Sequence, residues 1–128
     1  MSALSDFGEL KVLDHMLGTA AWTYPSQAYI GLSTGSMADD NSGTELSGNG
    51  YTRMAINFAA ASSGSAASNA TVTFPTATGA QGAISHWAIY DASTSGNQIC
   101  HGSFSTTKTI GSGDILRINS GDITITAA

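Results

Sequence analysis

The side chains able to do chemistry are few: three histidines, one cysteine and a short acidic run. His86 and His101 fall in two alternating segments, 83–91 and 98–104, separated by the turn-like "ASTSGN". Paired as an antiparallel hairpin, these arms could bring the two imidazoles face to face. A metal would need further ligands, and Cys100 points away from His101 because side chains alternate along a strand. Ordinary strand histidines, with no metal and no cofactor, are the expectation. Cys100 with either histidine could form a nucleophile and its base, but no acid is placed to orient that base. A lone cysteine is most often a small buried hydrophobe. His15 has no evident partner. There is no "GxSxG" elbow, and serine is too common for any Ser/His/Asp triple to be informative. The chain is therefore read as a non-enzyme with no catalytic residues.

Asp39, Asp40, Asn41 and Glu45 offer hard oxygen ligands of the kind calcium takes. An EF-hand loop needs oxygens at alternate positions and a glycine at the sixth, whereas "DDNSGTE" has adjacent acids and a misplaced glycine. A solvated loop is expected, with a looser calcium site over 39–45 as the alternative. Arg53, in "GYTR", is a scarce cation beside this loop. It is expected to pair with Glu45, or with Asp39 or Asp40, and to hold the loop against the sheet. Trp22 and Tyr24, followed by Tyr29, would stack on a sugar or clasp a neighbouring subunit if exposed. With so few large side chains in the chain, their burial at the edge of the core is the expectation.

The elements that must position these residues are short. Residues 5–18 carry the one helical pattern, with Phe7, Leu10, Leu13 and Leu17 at spacings of three and four and Val12 and Met16 widening the stripe. Ser5 is the predicted N-cap, Asp6 and Glu9 suit the positive end of the helix dipole, and Gly18 is a stop signal. Such a helix is too short to persist alone. After it the period falls to two. Strands are predicted at 28–34, 51–58, 70–75, 83–91 and 98–104. Segments 114–119 and 122–127 flank "SG" as a tight hairpin. Residues 35–50 form a long polar loop, and 59–69 a low-complexity mobile loop. Seven or eight strands between frequent turns argue for a mainly β, antiparallel sandwich or jelly roll over residues 28–127, in a single domain of residues 1–128.

Composition narrows the function classes. Charged residues are 10% of the 128, and Gly, Ala, Ser and Thr make up 67 positions. Small side chains let surfaces meet closely with little loss of side-chain entropy, which suits assembly. The net charge is −5, and the four cations, Lys11, Arg53, Lys108 and Arg117, are scattered. They form no basic stripe, so neither nucleic acid nor an anionic membrane is an expected partner. No apolar run is long enough to span a bilayer. The N-terminus lacks a signal-peptide pattern, because Asp6, Glu9 and Asp14 interrupt it. The single Cys100 fits synthesis in a reducing cytoplasm.

Several stretches taken together resemble a family: "LDHMLG" at 13–18, "TYP" at 23–25, "YIGLST" at 29–34, "GYTR" at 50–53, "TFPTATGAQG" at 73–82, the "ISHWAIYDASTSGN" of 84–97 and "TITA" at 124–127. They are similar to small virion proteins of tailed bacteriophages, described either as head decoration (cement) proteins or as tail-fibre-like proteins. The resemblance implies a non-enzymatic structural role in the virion. Since no shaft sequence follows the β domain, a decoration protein is the first expectation. It would associate with itself, as a trimer before a dimer, and bridge subunits of the major capsid protein. The alternative is a tail-associated module that recognises a host glycan or protein, with Trp22 and Tyr24 among its contacts. For the helix two uses compete. Its stripe either covers an open end of the sandwich, or Phe7, Leu10, Leu13, Met16 and Leu17 pack on a second copy or on the capsid.

Overall fold

The strongest period-two segments form the centre of the largest sheet. The computed structural model describes residues 2–127, so positions 1 and 128 of the expected domain lie outside the described residues. Among these are nine strands and one helix: β1 (Ser2–Leu4), α1 (Asp6–Met16), β2 (Ala28–Ser33), β3 (Met54–Ile56), β4 (Ser65–Ala67), β5 (Val72–Thr73), β6 (Gly82–Tyr90), β7 (Gln98–Ile110), β8 (Arg117–Ile118) and β9 (Thr124–Thr126). The protein is mainly β, as the alternation predicts. β6 and β7 pair as an antiparallel hairpin and lie inside a five-stranded antiparallel sheet of order β1-β7-β6-β2-β3.

One face of this sheet carries Ile30, Leu32, Ile56, Ile84, Trp87, Ile89 and Cys100, spaced by the two-residue period that puts alternate side chains inward, except between Ile84 and Trp87, where a bulge adds one residue. Two short ladders, β5–β8 and β4–β9, supply the opposing layer. Val72, Phe74, Leu116, Ile118 and Ile123 join the same buried cluster. The result is sandwich-like, with a core between a broad sheet and two narrow ladders; the strand order does not establish a jelly roll. On the other face of the sheet a smaller cluster of Met37, Ala88 and Tyr90 is buried under the loop that follows β2.

Three local readings need correction. The segments around "SG" do not pair with each other: β8 pairs with β5, and β9 with β4. The buried Ser68 explains the divergence, because its hydroxyl accepts from Gly121 N at 3.2 Å and Ile123 N at 3.4 Å. It pulls the turn onto a different segment, while Ile118 and Ile123 both enter the core. Residues 59–69, expected as a mobile loop, contain β4. Residues 51–53 and 57–58, expected in a strand with 54–56, lie outside β3.

The helix is the largest departure. Ser5 caps it as predicted, with its hydroxyl accepting from Gly8 N at 3.1 Å. Ser5 N also donates to Ile99 O at 2.9 Å, and the Ser5 hydroxyl reaches the carbonyls of Gln98 and Ile99. These bonds seat the start of α1 on β7. Gly8 makes the approach feasible, since a Cβ there would stand 2.3 Å from Ile99 O. At 100° per residue, Leu10, Leu13 and Leu17 lie on the side of the helix roughly opposite Gly8. Docking through glycine therefore turns the leucines outward. Leu10 is 64% exposed, Leu13 49%, Met16 67% and Leu17 71%, so the stripe does not cover the end of the sandwich.

Candidate functional site

Two features stand out where the sequence places candidate contacts: the outer face of α1 and an ion-pair hub around Arg53. On α1, Leu10, Leu13 and Leu17 share an arc of about 60°, bordered by Glu9 and Met16 and continued at the N-terminal end by Asp6. The exposed apolar area is on the order of several hundred Å², the range in which such patches mark contact sites. Phe7 does not belong to it. Its half-buried ring meets Trp22 edge-on at 6.3 Å between centroids, and Lys11 Nζ lies 5.6 Å from the Phe7 ring centre. Trp22 is half-buried by this contact, and its backbone N donates to His15 Nδ1 at 3.2 Å. Tyr24, expected at the core edge, is instead 81% exposed. The chain after α1 packs back on the helix, not on the sheet, and carries Tyr24 past the core.

The structure brings Arg53 and Glu45 together. Arg53 Nη2 lies 2.8 Å from Glu45 Oε1, and Nε donates to Oε2 at 2.9 Å, a two-point grip on the carboxylate. Nη1 donates to the carbonyls of Ala92 at 3.0 Å and Ser95 at 2.7 Å. The guanidinium also sits 3.5 Å from the centre of the Tyr90 ring, within cation–π range. One cation thus ties the loop after β2 to the turn between β6 and β7. That turn holds Ser95 at φ 53°, a conformation L residues rarely take, and Arg53 grips its carbonyl. Tyr51 completes the hub: its hydroxyl donates to Glu45 Oε2 at 2.5 Å and accepts from Leu32 N at 3.0 Å. Gly31 provides the room, because a Cβ there would meet Glu45 Oε2 and the Tyr90 ring at 2.8 Å. Burial, then the Glu45 charge, pushes the Tyr90 hydroxyl up to about 12, while burial and then the hydrogen bond to Glu45 raise that of Tyr51.

The remaining candidates are dispersed. His86 pairs with Ser103 across the hairpin and His101 with Ala88, so the two histidines are offset by two residues and not directly opposed. His86 Nδ1 is 2.7 Å from Ser85 Oγ, and His101 Nε2 is 2.5 Å from Asp39 Oδ1. Cys100 is buried on the opposite face, and burial pushes its thiol up to about 12, which makes it a poor nucleophile. Asp40 Oδ1 accepts from Ser42 N at 3.0 Å, and hydrogen bonding from the Ser42 hydroxyl, then from its backbone N–H, holds the Asp40 carboxyl below the usual range. No three metal-binding side chains among the described residues converge on one point. Asp39 and Asp40 serve instead to fix their own loop, the first against β7 and the second through a local turn.

Sequence reasoning missed β1, which pairs with the outer edge of β7 and leads directly into the Ser5 cap. Its three residues are too few to show a period. It also missed the direction in which α1 faces, although a glycine inside an otherwise good helix signals a close backbone approach. A comparison with curated proteins found no match. The family model of podophage GP4 fiber I protein gp80 matches residues 3–126, nearly the whole chain, including the helix and every strand except the first residue of β1. The chain therefore belongs to the gp80 family of podophage fibre proteins, structural proteins of the virion.

Proposed function

We propose that the chain is a non-enzymatic structural subunit of a tailed-phage fibre, anchored in the virion through the outward face of α1. The observation that carries this is the orientation of the helix. Backbone hydrogen bonds and the bare Gly8 fasten one side of it to β7, and the other side presents Leu10, Leu13 and Leu17 to solvent. A small domain gains nothing from holding that stripe in water, so its use lies in contact with another subunit. The partner is a second copy, in the trimeric arrangement favoured from sequence, or an adjoining virion protein. The family description supports the fibre over the head-decoration role.

A virion map at side-chain resolution tests the proposal. The expected result is density for this chain in a fibre, with α1 at a contact between subunits. Density confined to the head surface would return the chain to head decoration. Density in a fibre with α1 facing solvent would remove the anchoring role.

A further inference from the structure

The hairpin of β6 and β7 shifts register at two places, between Ile89 and Tyr90 and, by a larger step, between Ile84 and His86. Ile84 pairs with Lys108 and His86 with Ser103, so β6 advances two residues while β7 advances five. Residues 104–107 are left opposite Ser85 alone and bow out of the ladder. Bulges of this kind end pairing and re-aim side chains, and they cluster next to binding sites. Here the bowed segment forms one wall of a groove of about 360 Å³, closed on the other side by β8 and β9. That volume is at the lower end for small-molecule sites and gives room for roughly one or two sugar rings.

The groove has three chemically distinct parts. Ile84, Trp87 and Leu116 form an apolar floor, with the half-buried Phe104 also lining the groove. Ser105, Thr106 and Thr124 supply hydroxyls that both donate and accept. Lys108 and Arg117 add two positive charges. This last feature is unusual for the chain, which has four cations in all. Arg53 is consumed by Glu45 and Lys11 lies over Phe7, whereas Lys108 and Arg117 belong to no ion pair among the described residues. Two unpaired cations thus flank one groove of a protein with net charge −5. The one acid there, Asp122, already accepts from Asn119 N at 3.1 Å in its own turn.

We propose that this groove binds a carboxylated sugar unit, of the kind carried by acidic surface glycans. The ring's C–H face would lie against Phe104 and the floor, its hydroxyls would meet the Ser and Thr wall, and its carboxylate would be held between Lys108 and Arg117. An acidic peptide offers the charge but not the dense hydroxyls that this wall matches. Position supports the assignment. α1 is seated at Ile99 and the groove reaches Lys108; between the partners of Cys100 and Lys108, β6 advances five residues, from Ile89 to Ile84, which corresponds to roughly 15–20 Å. The face that anchors and the groove that binds therefore lie toward opposite ends of one strand.

The inference adds host recognition to the fibre reading but is tested apart from it. A failure to bind in solution leaves the virion position untouched, and a head location leaves the binding test intact. The full chain, labelled with nitrogen-15, is titrated with D-glucuronate, D-glucose and inorganic phosphate, and backbone amide shifts are followed. Glucuronate is expected to shift the amides of 103–108 and 116–118 saturably. Glucose should bind at least about tenfold more weakly, for want of the charge-assisted contacts to Lys108 and Arg117. Lys108→Ala and Arg117→Ala, both at exposed positions, should each weaken glucuronate by about fivefold or more, leaving the thermal midpoint and the glucose response unchanged. Equal responses to glucose and glucuronate overturn the proposal, as do shifts that map elsewhere or no saturable shift at tens of millimolar sugar. A phosphate response equal to that of glucuronate reduces the groove to a simple anion site and overturns the sugar assignment.

Discussion

Replacing Gly8 with alanine sets two effects of opposite sign against each other. In an isolated helix the change stabilises by about 1 kcal/mol, because glycine is a poor helix former. In this protein the new Cβ would stand 2.3 Å from Ile99 O, an atom of the β7 backbone that has no side-chain freedom to yield. Restoring ordinary contact requires the helix to retreat by roughly 1 Å. Ser5 N and Ser5 Oγ each lie 2.9 Å from the same carbonyl, and that retreat carries both to about 3.9 Å, outside hydrogen-bond range. Two lost bonds at about 1 kcal/mol each, in a pocket where Ser5 is buried, exceed the helical gain. The net expectation is destabilisation by about 1–2 kcal/mol, or a fall in the unfolding midpoint of about 3–10 °C for a domain of this size. Circular dichroism on heating measures it, and faster proteolysis within 6–16 should accompany it. A midpoint that holds or rises would refute docking through Gly8, and with it the account of why the leucines face outward.

Arg53→Ala should cost about 2–3 kcal/mol: it removes the grip on Glu45 and on the Ala92 and Ser95 carbonyls, and partial exposure of Glu45 lets water recover some of the loss. Arg53→Lys should regain less than half, since a point charge cannot span those acceptors; equal stability of the two variants in urea would show that charge alone matters. Leu10→Asp with Leu13→Asp should leave the unfolding midpoint within a few degrees, because both positions are exposed, while abolishing incorporation into virions. Collapse of the isolated domain would mean that the stripe packs on its own core. Stability should also fall in alkali. Burial raises Cys100 from 9.0 and Tyr90 from 10.0 to about 12 each, so their contribution is complete below pH 9 and is lost as pH rises through 9–12. Urea midpoints that stay constant across that window would contradict the burial of both groups.

What could be read from the residues was whatever depends on near neighbours. The Ser5 cap, the hairpin of β6 and β7 and the strand at Ala28–Ser33 are set by local period and turn chemistry. The pairing of Arg53 with Glu45 was legible for a different reason: a scarce cation beside an acidic loop has few partners. Choices between distant partners were not legible. Period two makes β8 and β9 look like a hairpin, but Ser68, some fifty residues earlier, accepts the two amides that part them. Helical period likewise shows that α1 has an apolar stripe and not which way it faces; the contact between Gly8 and Ile99 decides that. The groove escaped notice because its parts come from β6, β7, β8 and β9, and the strand expected at 98–104 stops short of Ser105, Thr106 and Lys108, which β7 (Gln98–Ile110) carries into its wall.

The length of β7 has a mechanical consequence. Force applied at α1 and opposed at the far end of the domain runs along this strand, between the short β1 ladder and the long β6 ladder. Antiparallel hydrogen bonds lie across the strand direction, so such a load shears many of them at once and does not unzip them singly. A domain pulled between a particle and a cell surface along this axis would resist as a lap joint does, through the summed strength of its overlap.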